Sequence, residues 1–187
     1  MNIRPRQPLK VLLIALPVLL LCLAIFRGVV AKADVVYPNP ETESAFLRGY
    51  TLANAVVPGT PLASGSSGPD SAGRGCASHQ REFQFWLAIQ SGNEPAVMAA
   101  VRRDLESRLT RQGSRITAAN GDLRKGFQFD YAAGHSKGSV IVDPLVIPDS
   151  PSVAGQAGLP PGQLAVKLRI WISETWYKAS QMSCRKL

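Results

Sequence analysis

The side chains able to do chemistry are few. Beyond the first 33 residues the chain has two cysteines, Cys76 and Cys184, and two histidines, His79 and His135. In an oxidising compartment Cys76 and Cys184 are expected to form a disulfide. It would close a loop of about a hundred residues, for an ideal entropic gain of ~4–5 kcal/mol. The alternative is a pair of free thiols near the ends of a domain. Cys76-Ala-Ser-His79 has Cys-x-x-His spacing, and His135 and Cys184 would complete a Cys₂His₂ set. The second half lacks the local spacing of such sites, so neither a metal site nor a cofactor is assigned. The same pair lacks the second cysteine of a c-type haem attachment motif.

Asp130, His135 and Ser136 have the residue types of an orienter, a base and a nucleophile. They read more simply as a polar hairpin loop beside a strand: Gly134-His135-Ser136-Lys137-Gly138 has Gly-x-Ser-x-Gly spacing, but it joins two predicted strands and not a strand to a helix, so it is not a nucleophile elbow. Asp104 and Glu106, two positions apart on a helix, do not share a face. The glycines around Ser66 and Arg74 do not lie between a strand and a helix, so they do not form a phosphate loop. No catalytic residue is assigned. A small extracytoplasmic hydrolase or metal-binding protein is kept as the alternative function.

The remaining candidate is a binding surface. Lys167, Arg169, Trp171, Trp176 and Tyr177 lie close together near the C-terminus. They combine flat aromatic area with positive charge, which suits a glycan, a peptide or a lipid headgroup.

The elements that would position these residues follow from hydrophobic periodicity. Phe83, Phe85, Leu87 and Ile89 alternate with Gln84, Trp86, Ala88 and Gln90, as in a strand with one buried face. Pro95 then opens a helix predicted over Glu94–Gln112 and stopped at Gly113. Its apolar positions Val97, Met98, Val101, Leu105 and Leu109 recur at three- and four-residue spacing. Further strands are predicted at Arg115–Thr117, ended by Asn120-Gly121, at Phe127–Tyr131 and at Ser139–Val142. Residues Gly134–Gly138 form a five-residue hairpin loop in this reading. After a proline-rich stretch from Pro144 to Pro161, Leu164, Val166, Leu168, Ile170 and Ile172 alternate with polar or small residues, the longest strand signal in the chain. The expected fold of residues 76–187 is α+β, a small antiparallel-rich sheet in the order β-α-β-β-β with one helix on a single face. Pro58–Gly75 is rich in glycine, serine and proline and is expected to be a flexible tether. It follows a membrane-proximal segment, residues 34–57, in which Phe46, Leu47 and Tyr50 mark a short helix.

The N-terminus sets the compartment. Val11–Phe26 is sixteen residues without a charge, preceded by Arg4, Arg6 and Lys10. A basic flank followed by an apolar run directs the rest of the chain across a membrane. The segment works either as a retained signal-anchor, giving a single-pass membrane protein with an extracytoplasmic C-terminal domain, or as a signal peptide cleaved after Ala33 in Ala31-Lys32-Ala33. Of the formal net charge of +8, residues 1–33 carry +5, so the folded part is only moderately basic. No known nucleic-acid-binding module is present, and no nucleic-acid partner is expected. The expected partners are the membrane, through Val11–Phe26, and an envelope protein or cell-wall component. The expected function is a non-enzymatic binding or interaction module.

Overall fold

The computed structural model describes residues 16–27, 35–52, 57–147, 159–178 and 185–186. The chain forms two compact units, residues 1–35 and 36–187. In the first, residues 16–27 are helical (α1) and every one of them is exposed, including Leu19, Leu21, Leu23 and Phe26. Among the described residues no helix is long and apolar enough to cross a membrane. Residues 11–15 of the apolar run and the Ala31-Lys32-Ala33 motif lie outside the described residues.

The second unit is α+β, built on a sheet whose paired strands run antiparallel. After β1 (Val35–Val36), at the junction of the two units, come α2 (Ala45–Arg48), β2 (Thr60–Ser67), β3 (Asp70–Arg74), β4 (Cys76–Gln90) and α3 (Glu94–Arg111). Then follow β5 (Arg115–Asp122), β6 (Gly126–Ala133), β7 (Ser136–Val142), β8 (Gln163–Tyr177) and β9 (Arg185–Lys186). The centre is the β4–β8 pair, unbroken from Cys76 opposite Tyr177 to Gln90 opposite Gln163. On one side β7, β6 and β5 follow in turn. On the other, β2 and β3 pair successive stretches of β4, and β9 adds to β3.

Period-two alternation explains the core. Phe85, Leu87 and Ile89 of β4, Val166, Leu168, Ile170 and Ile172 of β8, Val140 and Val142 of β7, and Phe127, Phe129 and Tyr131 of β6 all point to one face. The predicted stripe of α3 lies on that face: Val97, Met98, Val101, Leu105 and Leu109 are buried against it. Gly113, at φ +76°, ends the helix in the left-handed conformation that favours glycine.

Several expectations need correction. Pro58–Gly75 is not an unstructured tether, because Thr60–Ser67 and Asp70–Arg74 are strands bonded to β4. A ladder needs only backbone groups, and the edge of β4 offers a full row of them, so small polar side chains suffice. All of β2 is exposed, which is why no hydrophobic pattern marks it. Nor does the preceding stretch stand apart from the sheet: Phe46 and Leu47 of α2, with Tyr50, are buried in the core. Strand β5 continues through Asn120-Gly121 to Asp122. The turn lies later, where the Asp122 carboxylate accepts the backbone N–H groups of Arg124 and Lys125 at 2.8 Å. The hairpin between β6 and β7 turns on Gly134 and His135 alone, so Ser136–Gly138 belong to β7. From β4 onward the order is β-α-β-β-β-β-β, not β-α-β-β-β: each of the four segments predicted after the helix forms its own strand, β5 to β8, and the short β9 follows.

Candidate functional site

Alternation also fixes what faces away from the core. Three rows cross the uncovered side of the sheet. Trp171 on β8 stands opposite Ile141 on β7, which stands opposite Gln128 on β6. Next come Ser173, Ser139 and Asp130, and then Thr175, Lys137, Ala132 and Arg115 on β8, β7, β6 and β5. Small residues in the middle row leave a trough of about 490 Å³, lined by Arg115, Thr117, Asp130, Lys137, Ser139, Ser173, Thr175 and Tyr177. The Asp130 carboxylate accepts the Gln128 side-chain amide at 2.9 Å. At the floor, the Ser139 hydroxyl is enclosed and has no hydrogen-bond partner among the described residues.

Four of the five predicted binding residues share this face. Lys167, Arg169, Trp171 and Tyr177 occupy alternate positions of β8, whereas Trp176 points to the opposite face and lies near His135, with ring centroids 6.3 Å apart. The two predicted cations are already engaged. Lys167 lies over the Trp86 ring at 5.3 Å, and Arg169 is held between Glu82 at 3.4 Å and Asp143 at 3.6 Å. Trp171 is 38% exposed and free to stack. Most of the proline-rich stretch, residues 148–158, lies outside the described residues.

The alternative constellations are separated by strand geometry. Asp130 belongs to the uncovered face, while Ser136 is buried on the core side and His135 sits in the turn. Cys76 and His79, three apart on β4, point to opposite faces. Cys76 is buried opposite Tyr177, and Cys184 lies outside the described residues. Among the described residues no group of three metal-ligating side chains comes together.

A second polar cluster, invisible in the sequence, runs from buried His79 and Thr42 on the core side out to the partly exposed Asp70 and Arg81. The His79 ring lies 2.8 Å from the Thr42 hydroxyl through Nε2 and 3.2 Å from the Asp70 carboxylate through Nδ1. Arg81 grips the same carboxylate at 2.6 and 3.2 Å. The order hydroxyl, imidazole, carboxylate is that of a nucleophile relay. Thr42, however, is only 6% exposed, and its hydroxyl also bonds the backbone N–H and carbonyl of Asn39. The cluster therefore fastens the 39–44 turn to the sheet. The Arg81 hydrogen bond, foremost, holds the Asp70 pKa below the usual carboxylate value, against a partial desolvation cost. Nearby, Glu174 accepts the Ser44 backbone N–H at 3.1 Å. Burial, followed by the Glu174 charge, pushes the Tyr131 pKa up, and the Ser44 side chain opposes that rise.

A larger cavity of about 570 Å³ lies between β2 and Tyr50–Leu52, over Phe83, Phe85 and Leu87. Among the described residues its lining carries no charged side chain, so the uncovered-face trough is the richer site for recognition. Of the trough's own residues, Arg115, Ser139 and Ser173 only edge the predicted strands, and Lys137 and Thr175 fall outside them. Hydrophobic alternation alone ends β5 too early, draws the β6–β7 loop too long and stops β8 at Ser173. No protein-family model matches the chain, and neither a curated protein nor a solved structure matches it.

Proposed function

We propose that this is an envelope protein whose N-terminal apolar segment directs residues 36–187 to the extracytoplasmic side, where the domain acts as a non-enzymatic binding module. The observation carrying the binding role is the one-sided sheet: α3 covers one face, and the other presents a trough beside the exposed Trp171. Val11–Phe26 serves as the single-pass anchor in this reading, with release after Ala33 as the other outcome of the same signal. The bare apolar surface of residues 16–27 supports a non-aqueous surrounding for α1. The partner is a protein or a cell-wall component of the envelope.

A Cys76–Cys184 disulfide belongs to the same proposal. Its support is the register of β3 with β9: Arg74 stands opposite Arg185, so the bond would join the residue two after Arg74 to the residue just before Arg185. Cys76 itself is 1% exposed.

The test immobilises the full-length chain in mild detergent and measures recovery of ligand from envelope extracts. Trp171→Ala with Tyr177→Ala should lower recovery at least tenfold with an unchanged thermal midpoint, while Arg103→Ala on the exposed side of α3 should not. Equal recovery by all three proteins would remove the uncovered face as the binding surface.

A further inference from the structure

Resting on the reading of the uncovered face as a binding surface, we infer that the trough takes a carboxylate-bearing polysaccharide. Its position excludes one common mode of recognition. Strands β8, β7 and β6 each have neighbours on both sides, so their backbone groups are used in ladders and a peptide cannot add there as a strand. Recognition must go through side chains.

Those side chains suit a hydroxyl-rich chain with spaced acids. Thr117, Ser139, Ser173 and Thr175 provide hydroxyls, each able to donate and to accept, as sugar hydroxyls also do. The Ser139 hydroxyl is enclosed, unpartnered among the described residues and at the floor of the trough. Trp171 and Ile141, 38% and 40% exposed, stand in the row next to Ser173 and Ser139 and offer apolar area on which the C–H face of a sugar ring can lie.

In the row on the other side of these serines stand Lys137 and Arg115, both exposed. Arg81, Arg102, Arg108 and Arg169 all have a carboxylate within 4 Å. Lys137 and Arg115 have none among the described residues. The nearby Asp130 is turned to Gln128 instead, and it offsets only one of the two charges. Lys137 and Arg115 are two strands apart in one row, ~10 Å at the usual interstrand spacing. That separation fits acids on different units of a chain better than a single carboxylate. From β8 to β5 the trough spans three such spacings, ~14 Å, room for a short oligosaccharide.

The experiment titrates the full-length chain in non-ionic detergent with oligogalacturonate, with its methyl ester and with poly-L-glutamate. Oligogalacturonate should bind, the uncharged ester and the polyglutamate at least tenfold more weakly. Arg115→Gln with Lys137→Gln should weaken oligogalacturonate at least tenfold with an unchanged thermal midpoint. Equal binding of polyglutamate, indifference to the double substitution, or no binding of oligogalacturonate would overturn the inference. If that happens while Trp171→Ala with Tyr177→Ala still abolishes recovery from envelope extracts, the face is a binding surface for another ligand class. If that recovery is also unchanged, both readings fall.

Discussion

Ser139 and Ser173 face each other directly across β7 and β8 on the uncovered side of the sheet, and this pairing of two small residues opens the trough between Trp171 and Lys137. A large side chain at either position would fill it. Ser173→Trp is therefore expected to keep the fold, since position 173 faces away from the core, and to reduce ligand recovery at least tenfold. Circular dichroism with the recovery assay checks both halves, and undiminished recovery would remove the trough from the site.

Gly138 is required for a packing reason. A β-carbon there would fall on the Tyr131 phenol, which is 1% exposed and held among core side chains. Gly138→Ala should destabilise the domain by about 1–3 kcal/mol, the usual range for overpacking. Urea unfolding measures it. A cost near zero would mean that Tyr131 moves freely, against its burial.

Tyr50 separates packing from hydrogen bonding. Its ring meets Phe46, Phe83 and Phe85, while its buried hydroxyl has no partner among the described residues. Tyr50→Phe should change stability by less than ~1 kcal/mol and in the favourable direction, because it removes an unsatisfied group. Tyr50→Ala should cost ~3–5 kcal/mol, the range for deleting a core aromatic. A large loss from Tyr50→Phe would show that the hydroxyl is bonded after all.

Acid should loosen the turn over β4. The folded-state pKa of Asp70 lies below its ordinary 3.8, chiefly through Arg81. A depressed carboxylate pKa contributes stability that is fully present above the unfolded value and is lost as pH falls through the folded one. The wild-type urea midpoint should thus decline below about pH 4 more steeply than that of Asp70→Asn. Asp70 is partly exposed, so the difference is small. Parallel profiles would show that the carboxylate does not stabilise the fold.

The disulfide has a direct readout. Under non-reducing conditions the intact mass should be lower by two hydrogens than after reduction, and the same spectrum shows whether the chain begins at Asp34. A mass unchanged by reduction would remove the Cys76–Cys184 bond.

Where a hydrophobic pattern exists, the fold is legible. The alternation of Phe85, Leu87 and Ile89, the long alternation from Leu164 to Ile172 and the stripe from Val97 to Leu109 appear as β4, β8 and α3. Strands β2 and β3 are not legible, because they are held by backbone pairing and bury almost no side chains. The aromatic part of the site is visible as composition, but only strand parity separates Trp176 from Trp171 and Tyr177. Lys137 and Arg115 stay hidden for a related reason. They meet only through the register of β5, β6 and β7, which one-dimensional spacing does not encode. The His79 cluster joins residues from the 39–44 turn, β3 and β4, and no local signal announces it.

The most direct measurement of the binding role is amine acetylation of the full-length chain with and without envelope extract, read residue by residue by mass spectrometry. Lys137 lines the trough, whereas Lys125 lies exposed in the turn between β5 and β6. Protection of Lys137 at least fivefold greater than that of Lys125 is the expected result. Equal labelling of the two lysines, with and without extract, would contradict binding at the uncovered face.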